Sequence, residues 1–94
     1  MLSLAAIEGA AARIASSIYE SPLVYSETLS GLTGNSIYLK LENLQMTGSF
    51  KERGALNSIL SLGETERRRG VVAASAGNHG QAVATVGKML GVPA

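Results

Sequence analysis

Apolar residues recur along this chain at helical spacing in some stretches and at strand spacing in others. Leu4, Ile7, Ala11, Ile14 and Ile18 follow three- and four-residue steps, which predicts an amphipathic helix over about 3–19 with an alanine-rich stripe. Ser21-Pro22 ends it, because a residue before proline is pushed out of the α region. Leu23 to Tyr25 reads as a short extended piece and Thr28 to Leu32 as one helical turn. Ile37-Tyr38-Leu39-Lys40-Leu41 alternates as a strand does. From Ser49 onward, Leu56, Ile59, Leu60 and Leu62 mark a helix closed by Gly63, and Ser49 with Glu52 fits the S-x-x-E capping box. Glu64 to Arg69 is a short charged helical segment or turn, and Val71-Val72-Ala73-Ala74 is the unbroken apolar run of a strand covered on both faces. Gln81 to Leu90 is helical again, with Ala82, Val83, Val86, Met89 and Leu90 on its apolar side and Gly91 and Pro93 as its stop.

The order strand, helix, strand, helix predicts an α/β fold with parallel strands joined by right-handed crossover helices, and with ligand loops at the carboxyl ends of the strands. Two strands are too few to cover such a sheet, and Gly91-Val92-Pro93-Ala94 reads as the approach to another strand. The sequence is therefore expected to be a piece of a larger domain.

Composition narrows the function mainly by exclusion. Among 94 residues, 46% are hydrophobic, and eight basic against seven acidic side chains leave a formal charge of +1. That gives no field for nucleic acid or anionic lipid, and three Tyr with one Phe are too few for a base-stacking surface. No apolar run nears the roughly 18 residues of a membrane span. A signal peptide is not expected, since Glu8 interrupts Leu2 to Ala12 and no basic segment precedes it. Without cysteine there is no disulfide framework or thiolate metal site, which fits a cytoplasmic protein, and His79 standing alone argues against a metal centre.

Two segments carry chemistry. In Thr47-Gly48-Ser49-Phe50-Lys51-Glu52-Arg53-Gly54-Ala55 an amine stands at a helix start, where the positive end of the macrodipole and burial beside Phe50 would both disfavour its charged form. A lysine so placed can form a Schiff base and then serve as a proton-transfer base. In Ser75-Ala76-Gly77-Asn78-His79-Gly80 a strand passes through Gly77, which permits positive φ, into a helix whose first N–H groups are free for an anion. Asn78 offers a donor for a phenolate oxygen, and Ser75 one for a carboxylate or cofactor oxygen. Taken singly, each segment has a plainer reading: Lys51 as a solvated helix residue, and Gly77-x-x-Gly80 as a strand-to-helix turn with Asn78 as N-cap. The dinucleotide fingerprint G-x-G-x-x-G is absent.

Together the two segments, with Lys40-Leu41-Glu42-Asn43-Leu44-Gln45 before them and Ser21-Pro22-Leu23 near the start, resemble the N-terminal part of fold-type II (tryptophan synthase beta-like) pyridoxal-phosphate enzymes, and within them the threonine dehydratases (threonine ammonia-lyases). The resemblance runs from about Ile7 to Ala94. It implies a helix and first-strand region over 1–46 and part of the small α/β domain over 47–94, both incomplete. It implies Lys51 as the Schiff-base lysine, Phe50 against the pyridine face, Asn78 at the ring hydroxyl oxygen, and Ser75, Ala76, Gly77, Asn78 and His79 around the substrate carboxylate. The implied cofactor is pyridoxal 5'-phosphate. The implied reaction is elimination of water from L-threonine or L-serine to a 2-oxo acid and ammonia, in a homo-oligomer, with the 94-residue chain alone inactive. Cysteine synthases usually read Ser-Val-Lys-Asp-Arg where this chain has Ser49 to Arg53 with Phe50 and Glu52. Serine racemases place at position 76 a serine that reprotonates Cα, whereas Ala76 has no proton to give. Gly80-Gln81-Ala82 departs from the Ala-Gln-Gly often found there and is expected to loosen the helix start slightly. Racemase and cysteine synthase relatives, and a noncatalytic α/β piece that associates with other chains, are the alternatives.

Overall fold

The computed structural model describes residues 1–94. Helix α1, Leu4–Ile14, starts at Ser3, whose hydroxyl accepts the Ala6 N–H at 3.2 Å. It is shorter than its apolar spacing predicts. Ser16 and Ser17 are weak helix formers, and Ser17 N–H closes a tighter turn onto the Ile14 carbonyl at 2.9 Å. Strands β1, Leu23–Tyr25, and β2, Tyr38–Lys40, pair antiparallel with Val24 opposite Leu39, and the Tyr25 and Tyr38 rings meet edge to face at 5.3 Å. Between them α2, Glu27–Thr33, is capped by Ser26 and stopped at Gly34, whose φ of 69° is the left-handed cap conformation that favours glycine. A 3-10 turn, Glu42–Leu44, leads to α3, Lys51–Ser61, and then to α4, Glu64–Arg69, and α5, Asn78–Leu90.

The core is the face between α3 and α5. Ala55, Leu56 and Ile59 pack on Ala82 and Val86, with Ile14 of α1 on one side and Val92 on the other. Helical spacing puts these side chains on facing stripes, and Leu56 and Val86 are wholly excluded from water. Most of the predicted α1 stripe is not core: Leu4 and Ile7 are 70% and 51% exposed, and only Ile14 is buried. Met46 and Met89, at 42% and 43% exposed, are likewise outside the buried core.

Strand pairing differs from the simplest sequence reading, while the α/β architecture stands. Ile37–Leu41 does not pair with Val71–Ala74; the neighbour of β2 is β1. Residues 71–74 carry no ladder and form no strand. Their contact is with the segment after α5, through a bond from Val71 N–H to the Pro93 carbonyl at 2.8 Å. The chain on either side of α5 is thus joined by this one backbone bond rather than by a strand ladder. Gly87 makes this close approach possible, since a Cβ there would stand 2.8 Å from the Val92 carbonyl.

Candidate active site

Lys51 is the first residue of α3, half-buried, at the positive end of the helix. The chain reaches it through a turn in which Gly48 has φ +74° and its N–H bonds the Gln45 carbonyl at 2.8 Å. The predicted capping box is not formed. Phe50 takes the N-cap position without any side-chain cap bond, and Ser49 Oγ accepts Lys51 N–H at a long 3.3 Å. Glu52 turns back past Ser49: its Oε2 accepts both the N–H of Thr47 at 2.6 Å and its hydroxyl at 2.8 Å. Phe50 is 57% exposed, so it does not bury the amine as expected. Lys51 Nζ instead lies over the ring face, 4.3 Å from its centre, where the ring quadrupole attracts an ammonium.

Arg53 is the next anchor of the same helical turn. Its guanidinium grips Glu42 with two bonds of 2.8 Å, Nε to Oε2 and an Nη to Oε1. Glu42 Oε1 also accepts the Ser21 hydroxyl at 2.6 Å and the Gln45 amide at 3.3 Å. The Arg53 bonds hold the Glu42 carboxyl down from 4.5 to about 2, against the opposing effect of its burial, with help from Ser21 and Gln45. Buried Gln45 ties this cluster back to the chain after α1 by accepting from Tyr19 N–H at 3.2 Å and donating to its carbonyl at 2.7 Å. Arg53 lies eleven residues from Glu42, so no local pattern could have paired them.

A cleft of about 510 Å³ runs between α3 and the 71–74 segment. Phe50, Lys51 and Ser58 line one side, Val71, Val72 and Ala73 the other, and His79 with Val83 of α5 closes the end. Its size and apolar lining with few polar groups suit a small organic ligand. Of the residues singled out in the sequence, the cleft thus brings Lys51, Phe50 and His79 together. Ser75, Ala76, Gly77 and Asn78 form an exposed turn beyond its lining, and the Asn78 side chain makes no bond within the chain.

That turn departs from expectation in two respects. Gly77 has φ −137°, not a positive value, and the space around it is open. Gly77 rather than Asn78 occupies the N-cap, with its carbonyl accepting Gln81 N–H at 3.1 Å, so the N–H groups of Asn78, His79 and Gly80 lack intrahelical acceptors. The glycine that the packing demands is Gly80, where a Cβ would stand 2.7 Å from the Ser75 carbonyl. Gly80 therefore fits the turn closely rather than loosening it, and buried Ala82 fills the core two positions on.

The whole layout is that of the N-terminal region of fold-type II pyridoxal-phosphate enzymes. It superposes on a serine racemase from Dictyostelium discoideum with a TM-score of 0.91 at 46% identity, over 97% of this chain and 30% of that one. The processed form of threonine deaminase isoform 2 from Solanum lycopersicum gives 0.74 at 38% identity, over 97% and 26%. Residues 14–94 match the sequence profile of the pyridoxal-phosphate dependent enzymes, and the chain belongs to that family. Among curated relatives, the L-threonine ammonia-lyase of Thermotoga maritima is 53% identical across 100% of this chain and 23% of its own length. The chain spans about a quarter of the length of the curated relatives it matches, 23% to 28% for those most similar. No helix is long and apolar enough to cross a membrane.

The residues present suit the family's cofactor. One amine faces a cleft with apolar walls, and three unbonded N–H groups at the start of α5 offer donors to an anion nearby.

Proposed function

We infer that the protein is a pyridoxal-phosphate dependent ammonia-lyase that removes water from L-threonine or L-serine and releases a 2-oxo acid and ammonia. The observation that supports this reading is that Lys51, at the start of α3, and His79, in the first turn of α5, line one cleft. Lys51 Nζ would hold the cofactor covalently and, when displaced by the substrate amine, accept the proton from the substrate Cα. Phe50 would border the flat ring, and Asn78 would bond its hydroxyl oxygen. The turn from Ser75 through Ala76, Gly77 and Asn78 to His79 would seat the substrate carboxylate on the N–H groups left free at the start of α5. When bound, pyridoxal phosphate supplies the electron sink that makes the Cα proton removable.

Residues 1–46 and 47–94 belong in this reading to two parts of one catalytic domain, in a cytoplasmic homo-oligomer. The curated relatives named threonine ammonia-lyase and threonine dehydratase support elimination. The racemase superposition favours a second reading, in which Cα is reprotonated from the opposite face. Ala76 speaks against it, because a methyl group donates no proton.

Borohydride reduction of the full-length protein after incubation with pyridoxal phosphate, followed by peptide mass spectrometry, tests the assignment. The label is expected on Lys51 and absent from Lys51→Ala. Labelling elsewhere, or equal labelling of the variant, overturns it. With L-threonine the same protein is expected to release a 2-oxo acid and ammonia in equal amounts.

A further inference from the structure

The buried side chain that the reaction leaves unused is Glu52. It is 0% exposed; Oε2 takes both bonds from Thr47, and Oε1 is buried without a partner. As a contribution to stability this is a poor arrangement, because a buried carboxylate with an unsatisfied oxygen loses more hydration than it regains, and an apolar side chain of similar size would pack there without that loss. What the side chain supplies is direction: an acceptor oxygen aimed at one particular backbone N–H and the hydroxyl of the same residue.

That N–H belongs to the turn that delivers Lys51. The turn needs holding for two reasons: Gly48 sits at positive φ, and α3 has Phe50 as its N-cap with no side-chain cap bond. Glu52 is the neighbour of Lys51 in the same helical turn, so its bond to Thr47 closes a ring of residues, 47–52, around Gly48, Ser49, Phe50 and Lys51. Ser49, within the ring, is buried and its Oγ accepts the Lys51 N–H at 3.3 Å. Phe50 is left exposed on the outside with its ring beneath Lys51 Nζ.

We propose that Glu52, through Thr47, is a positioning residue that sets the direction of the Lys51 amine over Phe50 and into the cleft. The inference rests on the assignment of Lys51 above but is tested separately, by the reactivity of the amine before any cofactor is added.

The full-length protein, stripped of pyridoxal phosphate, is pulse-labelled with trace acetic anhydride across a pH series. Lys51 is read by peptide mass spectrometry against exposed Lys88 in the same molecule. In Glu52→Ala the Lys51-to-Lys88 ratio is expected to change by at least about threefold, because the amine leaves its fixed geometry. Glu52→Gln keeps an acceptor for Thr47 and is expected to stay near the wild-type ratio. Thr47→Val, which removes only the hydroxyl bond, is expected to fall between and stands in if Glu52→Ala does not fold. An unchanged ratio in a folded Glu52→Ala, or in Thr47→Val where that substitutes for it, overturns the proposal. Loss of stability with the ratio intact does the same, since it leaves Glu52 a merely structural role. Cofactor attachment to a lysine other than Lys51 would instead remove the functional reading while leaving this ratio a valid measure of the clamp.

Discussion

Glu42 holds two bonds from Arg53 and one each from Ser21 and Gln45, and the consequence is a sign that can be measured. Its carboxyl lies at about 2 when folded and at the ordinary 4.5 when unfolded, so the unfolded chain binds the proton more readily. The stabilisation is fully present above about pH 4.5 and drains away as pH falls toward about 2. Urea midpoints across that range are expected to fall more steeply for the wild type than for Glu42→Gln, and parallel curves would refute the assignment. At position 76 the expected outcome is chemical: Ala76→Ser restores a hydroxyl and should raise D-serine formation from L-serine relative to 2-oxo acid release, as read by chiral chromatography. The two segments that carry Lys51, Phe50 and His79 stand out in the sequence by composition, but that only these three of the expected residues line the cleft does not. The Glu52 bond was not legible either. S-x-x-E predicts an acceptor for Ser49 N–H, and only the path through Gly48 at positive φ carries Thr47 N–H within reach instead. The Arg53 partner was equally hidden, since an ion pair between a 3-10 turn and a helix leaves no periodic trace.

At the level of elements, the helices could be read from apolar spacing and glycine stops. Gly91, with φ 65°, ends α5 as predicted. The strands could be read as extended segments but not as pairs. Antiparallel pairing of β1 with β2 depends on how α2 folds back between them, and period-two alternation does not name a neighbour. Glycine roles were likewise visible as a cluster and misassigned within it. Gly80→Ala is expected to cost about 1–3 kcal/mol by overpacking against the Ser75 carbonyl, offset in part by the better helix propensity of alanine. Gly77→Ala, in open space at negative φ, should stay within about 0.5 kcal/mol. Denaturant titration of both variants checks the ranking. The reverse order would mean that the turn before α5 is held by its first glycine.

For the molecule as a whole, the surface is too large for its mass. A compact monomer of 9.7 kDa exposes about 5,100 Å², whereas this chain exposes 6486 Å². Its radius of gyration is 15.9 Å, against about 12 Å for a compact domain of this length. The excess includes apolar side chains on both faces of the β1–β2 pair, with Leu23 at 62% on one and Val24 at 40% on the other, and Val72 is fully open in the unpaired 71–74 segment. Produced by itself, the 94-residue span is therefore expected to bind a hydrophobic dye and to self-associate with rising concentration. A longer chain containing the same residues should do neither to the same degree. A dye-silent monomer in sedimentation would contradict this. The hairpin also gives the molecule its own optical gauge. There is no tryptophan, and the T-shaped Tyr25–Tyr38 pair is the sole aromatic couple, set in an element separate from the α3–α5 core. Near-ultraviolet dichroism of this stretch is consequently weighted toward opening of the strand pair, while ellipticity at helical wavelengths is weighted toward the helices, and the two can be timed against each other without adding a label.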